Sequence, residues 1–197
     1  TGYFNFGGAY AHYSDASNPF YINWEDGDLR KELWDKVDFG LGPNTLVSNK
    51  YMELDAVGRS DGGNDLPIYR YAEVLLIFAE SSARNANAVT PEALETLNKI
   101  KRRAYGLAID SPSEVDYSFS SGEITEFLDA LLQERAYEFI FEGKRWLDLK
   151  RVGRAQEMVM KNKGITIADA HYLWPIPLSE LNFNGALDPD TDQNPGY

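Results

Sequence analysis

Cysteine is absent from this 197-residue chain, and that gap removes disulfide staples, thiolate metal sites and cysteine nucleophiles together. Histidine is nearly as scarce, with only His12 and His171, and neither stands in the Glu-x-x-His spacing of a di-iron bundle. Basic charge is in deficit. The 19 Lys and Arg against 31 Asp and Glu give a net charge of −12, which argues against nucleic acid, whose binding rests on neutralising phosphates. The local exception, Lys99, Lys101, Arg102 and Arg103, sits before Gly106 at a helix end, where cations favour the negative pole of the macrodipole. Long apolar runs are missing as well: the densest, Val74 to Ala79, falls far short of the ~20 residues that span a bilayer. There is no Gly-x-x-x-x-Gly-Lys-Ser/Thr phosphate loop and no Gly-x-Ser-x-Gly nucleophile turn. Nor does the chain open on a charged-then-apolar leader; a start at Thr1-Gly2-Tyr3 without Met reads as a processed product or fragment.

What is present is enough for one globular domain, or for one lobe of a larger one. Residues 1–66 lack sustained periodicity and are rich in Gly, Asn, Asp, Ser and aromatics, which predicts long ordered loops with short helical or extended pieces. Nine of the 26 aromatics fall before residue 35. From Pro67 the pattern is helical. Ala72, Leu75, Leu76, Ala79 and Ala83 make one face of a first helix, widened by Val74, Ile77 and Phe78. Thr90 is a natural N-cap with Pro91 at the first position of a second helix, whose inward stripe is Ala93, Leu97, Ile100 and Ala104. After a loop over 107–119, Ser120-Ser-Gly-Glu123 reads as a capping box for a third helix that Gly143 breaks or bends. A fourth helical stretch runs from about Lys144 to Met160. The two pairs resemble tetratricopeptide-type units, in which each pair leaves an apolar face for the next to cover. The tail from 171 to 197, with Pro175, Pro177, Pro189 and Pro195, is expected to run extended. The fold class is therefore all-α: tetratricopeptide-like helix pairs behind irregular N-terminal loops, with an extended proline-rich C-terminal tail. Residues 1–66 and 67–197 are its two regions.

In the third helix an apolar stripe turns into a row of charges without losing phase. Ile124, Leu128 and Leu131 are spaced four and three apart, and the spacing continues through Arg135, Glu138, Glu142 and Arg145. Charges on the buried stripe must be paired. Arg135 with Glu138, Glu142 with Arg145, Arg145 with Asp148 and Asp148 with Arg151 are each three apart, so Glu134, Arg135, Glu138, Glu142, Arg145 and Asp148 are expected to form a structural ion-pair network.

Glu134-Arg135-x-x-Glu138 followed by Glu142-Gly143-x-Arg145-Trp146-x-Asp148-Leu149 resembles the signature of the SusD/RagB family of outer-membrane nutrient-binding lipoproteins. Pro67 to Leu76 resembles that family's "RYAEVLL" helix and Leu97 to Ala104 its "NxVRxRA" helix. Tyr172-Leu-Trp-Pro-Ile-Pro177 with Gln193-Asn-Pro-Gly-Tyr197 resembles its closing "LPIP…QNPGY". With Asp28-x-Arg30 and Lys50-Tyr51 as weaker echoes, the matches keep the family's order over residues 28–197. Lys144 stands where His or Asn is frequent, and Ala136 where a second Arg is common. The resemblance implies a C-terminal portion of a longer protein whose signal peptide and lipid-bearing Cys lie upstream. It also implies a place on the extracellular face of the outer membrane, an oligosaccharide ligand and a SusC-like TonB-dependent transporter as partner. The parent's N-terminal part would be a further partner, covering one side of the first helix.

The aromatic third carries the binding expectation, since a sugar ring needs a flat apolar face and hydrogen bonds at its rim. Trp24, Tyr21 and Asn23 form the tightest group, with Tyr13 and Trp34 outlying; the competing reading is that these rings fill the core beneath the loops. Glu134, Glu138 and Glu142 lie one turn apart, and a glycoside hydrolase would need two carboxyls about 5 to 9.5 Å apart across a bond. Arg neighbours would hold them ionised, so none is an obvious general acid. Glu142-x-x-Arg145 also matches a haem-thiolate motif, but no thiolate exists to bind the iron. Asp188-x-Asp190-x-Asp192-x-Asn194 has calcium-loop spacing, yet Pro189 and Pro195 interrupt it and no closing Glu follows. The reading is a non-catalytic oligosaccharide binder without cofactor or metal. The alternatives are a helical interaction scaffold without a sugar site and, further off, a hydrolase.

Overall fold

The structure is a computed structural model and describes residues 14–38, 40–53 and 63–197. Its elements in order are β1 (Ser14–Asp15), α1 (Pro19–Ile22), a 3-10 turn (Leu29–Leu33), β2 (Trp34–Lys36), β3 (Thr45–Ser48), α2 (Tyr71–Ala86), α3 (Pro91–Ala104), α4 (Ile124–Glu138), α5 (Arg145–Arg151), α6 (Ala155–Lys163), a second 3-10 turn (Asp169–Tyr172) and α7 (Leu178–Phe183). The chain is mostly helical, and its helix pairs fit a tetratricopeptide-like architecture. It divides into two compact units, Thr1–Arg145 and Trp146–Tyr197.

In the first unit the core lies between α2, α3 and α4. Ala72, Leu76, Ala79 and Ala83 from α2 meet Ala93, Leu97 and Ile100 from α3 and Phe127 and Leu131 from α4, all buried. Small alanines on α2 let the helices approach closely, and the larger rings fill the seam. Asn87 ends α2 in the left-handed conformation at φ 48°, which asparagine tolerates better than most residues. The Thr90 hydroxyl caps α3 by accepting from the Ala93 N–H at 3.1 Å. The loop 107–119 is pinned from α3: buried Arg102 donates to Asp116 from Nε at 2.7 Å, to Glu95 and to the Ile109 carbonyl at 2.8 Å, while the Asn98 side chain bonds the main chain of Tyr117 both ways.

Ahead of the helices, β3 runs antiparallel between β1 and β2, with Ser14 opposite Leu46 and Trp34 opposite Ser48. Leu46 and Val47 are buried. Besides the start of α4, where the N-cap is Glu123 rather than Ser120, three helix boundaries differ from the sequence expectation. First, α2 starts at Tyr71 rather than Pro67, because Arg70 is held extended at φ −144° with its guanidinium on Glu138 and Glu142. Second, α4 stops at Glu138, short of Gly143: Phe141 and Gly143 take positive φ, 63° and 72°, and cations cap the freed carbonyls. Lys50 Nζ donates to Ile140 O at 2.8 Å and Arg70 Nη2 to Glu138 O at 2.5 Å, where the helix end is electronegative. Third, the stretch from 144 to 160 is two helices, separated at Gly153 with φ 72°.

The second unit is tied together mostly by main-chain carbonyls. Gln193 bonds the main chain of Ile176 in both directions at 2.8 and 3.0 Å, and the Tyr197 hydroxyl donates to Ala170 O and Leu173 O. A Cβ on Gly196, at φ +95°, would meet the Ala170 Cβ at 2.5 Å, so that turn requires glycine. The tail is not extended throughout, since α7 interrupts it. Its aspartates bond the tail's own main chain: Asp188 accepts from Asp190 N–H and Asp192 from Asp188 N–H. Among the described residues no acidic or histidine cluster could hold a metal ion.

Candidate functional site

An open cleft of about 370 Å³ lies in the first unit, walled by Leu29, Leu33, Pro67 and Tyr137 and floored by charge. The carboxylates come from the end of α4 and the turn beyond it, the cations from four sequence-distant places. Glu138 meets Arg30 at 3.0 Å, Arg103 at 2.5 Å and Arg70. Glu142 meets Lys50 at 2.5 Å and the Arg70 fork, whose Nε lies 3.0 Å from both carboxylate oxygens. Glu134, 1% exposed, meets Arg30 at 2.7 Å and accepts from the Tyr117 hydroxyl at 3.1 Å. Arg30 in turn is forked onto Asp28.

Two of these carboxyls are driven apart. Burial pushes Glu134 up from the ordinary value, and the Arg30 charge and hydrogen bond oppose this only in part. Burial would raise Glu138 too, but the Arg103 hydrogen bond and the charges of Arg103, Arg70 and Arg30 outweigh it and hold Glu138 at about 2. So the carboxylate lining the cleft is ionised and saturated with donors, while the carboxyl with a raised pKa is sealed beneath it.

Glu134, Glu138 and Glu142 take partners from far along the chain, while Asp148 has one a turn along its own helix. Because α4 ends at Glu138, Glu142 and Arg145 do not share a helix with it; Arg145 Nη1 donates to Leu132 O at 2.8 Å. Arg135 lies 3.7 Å from Glu73 and over the Phe139 ring, and Asp148 meets Arg151 at 3.1 Å. Arg30, Lys50, Arg70 and Arg103 are the residues that spacing along the third helix could not supply. The signal for all four was their place in the upstream family-like motifs, although Arg103 was also read as a helix-end cation.

Trp24 is 2% exposed. Its ring stacks on Tyr137 at 4.4 Å and 18°, its edge meets Phe20, and its indole N–H donates to Asp28 at 2.9 Å. That leaves no open face for a sugar ring; Trp24 backs the aromatic wall of the cleft instead. Tyr21 and Trp34 are half-buried and meet edge to face at 6.4 Å. Lys31 sits over the Tyr21 ring and Phe141 against Trp34. Asn23, exposed, caps the end of α1. Tyr13 lies outside the described residues.

Helix pairs bearing an ion-paired cleft at the foot of a third helix define the class, and the chain's relatives fix it more narrowly. The SusD family model matches residues 3–171, and the chain belongs to that family. It is 36% identical over 146 residues to the SusD-like protein P2 of Formosa agariphila, covering 71% of this chain and 27% of that protein. Over 144 residues it is 29% identical to the starch-binding protein SusD of Bacteroides thetaiotaomicron, covering 68% of this chain and 22% of that one. A crystal structure of a SusD homolog from Bacteroides thetaiotaomicron superposes with a TM-score of 0.70 at 22% identity, over 90% of this chain and 43% of the other. The chain thus spans about a quarter of the length of these curated relatives.

Proposed function

We propose that this chain is part of a non-catalytic, surface-exposed binder of oligosaccharides that passes its ligand to a SusC-like TonB-dependent transporter in the outer membrane. Family membership across residues 3–171, with a starch-binding relative, is the observation that carries the reading. The cleft supports its non-catalytic half. Glycosidic cleavage needs a carboxyl that can give up a proton to the leaving oxygen. Glu138 is ionised and bonded to three arginines, and Glu134, whose pKa is raised, is closed to solvent. Tyr21, Asn23 and Trp34 are the proposed ligand contacts, and Tyr13 is a further candidate by its sequence.

Calorimetric titration with plant, starch and host oligosaccharides tests this directly, combined with an assay for reducing ends. Saturable binding without turnover, weakened by Tyr21→Ala or Trp34→Ala, is the expected result. Release of reducing sugar that stops on Glu138→Gln would replace the reading with a hydrolase. Silence toward every saccharide would leave the interaction scaffold, for which the exposed apolar face of α2 is the available surface.

A further inference from the structure

Four cations line the cleft, and three of them are fully engaged. Arg30 bonds Asp28, Glu134 and Glu138. Arg70 forks Glu142 and reaches Glu138. Lys50 holds Glu142 and the Ile140 carbonyl. Arg103 differs from these. Only its Nη2 is engaged, on Glu138 Oε1 at 2.5 Å, and its side chain is 48% exposed. Its Nε and Nη1 hydrogens meet no described residue.

The cleft carboxylates offer a ligand no strong repulsion, because each is surrounded by donors: Glu138 by three arginines, Glu142 by Lys50 and both edges of the Arg70 fork. The cleft lining therefore includes a guanidinium with unspent N–H donors, together with a half-buried tyrosine and two leucines. About 370 Å³ falls in the lower part of the range for small-ligand sites, roughly 300 to 1,000 Å³. A planar guanidinium reads a carboxylate or sulfate with paired N–H donors, and a pyranose lays its C–H face against an apolar wall.

We propose that this cleft holds an acidic sugar unit, its uronate carboxylate or sulfate ester on the free edge of Arg103 and its ring against Leu29, Leu33 and the edge of Tyr137, whose faces are taken by Trp24 and Arg30. The proposal rests on the saccharide-binding reading above and adds to it a second contact region, since the cleft lining includes none of Tyr21, Asn23 and Trp34.

The test is calorimetry of the full 197-residue chain against tetragalacturonate, a sulfated galactan tetrasaccharide and neutral galactotetraose. At least one acidic ligand is expected to bind roughly tenfold tighter than the neutral one, the scale of a single charge-assisted hydrogen bond. The arm that shows the gain separates carboxylate from sulfate. Arg103→Gln is expected to erase the preference. Leu29→Glu, which places a negative charge at the mouth and leaves the Arg103–Glu138 pair intact, should erase it too, so a folding defect in the first variant does not decide the matter. Equal affinity for neutral and acidic ligands, or a preference that survives both variants, overturns the proposal while the saccharide reading stands. No binding of any saccharide, neutral or acidic, overturns both.

Discussion

Replacing the Glu138 carboxylate by an amide of the same shape leaves Arg30, Arg70 and Arg103 without their shared anion. Removing one partner of a buried pair costs about 3 to 5 kcal/mol, so Glu138→Gln is expected to lower the urea midpoint by that equivalent. The same residue gives the protein an acid limb. Its folded pKa, about 2, lies below the ordinary 4.5, so the folded state binds fewer protons than the unfolded one in that window. The stabilisation, on the order of 3 kcal/mol, is therefore present above pH 4.5 and lost as pH falls toward 2. Glu134 has the opposite sign. Its raised pKa favours the fold below the ordinary value and loses that benefit as pH rises through the folded pKa, so it cannot produce the acid loss. Denaturation midpoints followed from pH 5 to 2 should flatten in Glu138→Gln; an unchanged acid slope would assign the limb to other groups. Trp24→Ala, by opening a cavity behind Tyr137 and removing the indole donor from Asp28, is expected to cost about 3 to 5 kcal/mol, against little for Tyr21→Ala. Thermal melts of the two variants separate the buried ring from the half-buried one.

At the scale of elements, what was periodic was legible. The helix beginning at Pro91 behind its Thr90 cap, and the apolar faces of α2 and α3, follow from spacing and capping chemistry that act within a few residues. Helix ends were not, because contacts decide them. Arg70 is drawn out of α2 by carboxylates 68 and 72 positions away, and Lys50 closes α4 from 90 positions away; no local window carries that information. The three-stranded sheet escaped for a related reason, as β1 has two residues and too little alternation to be read. The 107–119 loop gives a prediction at this scale. Arg102 is 1% exposed and carries the loop's ties to Asp116 and Ile109. Arg102→Met keeps the buried stem but removes the donors, so amide exchange within 107–119 should rise sharply while α2 and α4 keep their protection. Uniform loss of protection would instead mean that the arginine holds the helices.

For the whole molecule the informative surface is the outward side of α2. Tyr71, Val74, Ile77 and Phe78 are all half or more exposed, Phe78 at 50%, on the side opposite the alanines that face the core. Solvated helix faces ordinarily carry charge, and an apolar stripe of this kind marks a surface made for contact. The sequence showed the widened apolar face, but periodicity cannot tell a face covered by the same chain from one left open, since both look identical in composition. Their energetics differ. If the stripe is uncovered in the isolated chain, Val74→Ser with Phe78→Ser removes little burial, so the melting temperature should hold within a few degrees while dye binding to apolar surface and concentration-dependent association both fall. Were the two side chains packed, the pair would cost several kcal/mol, the scale of large-to-small core changes, and the melt would drop well before any gain in solubility could be seen. Sedimentation at two concentrations beside the melt distinguishes the cases, and a loss of stability without a change in association would place Val74 and Phe78 in the core.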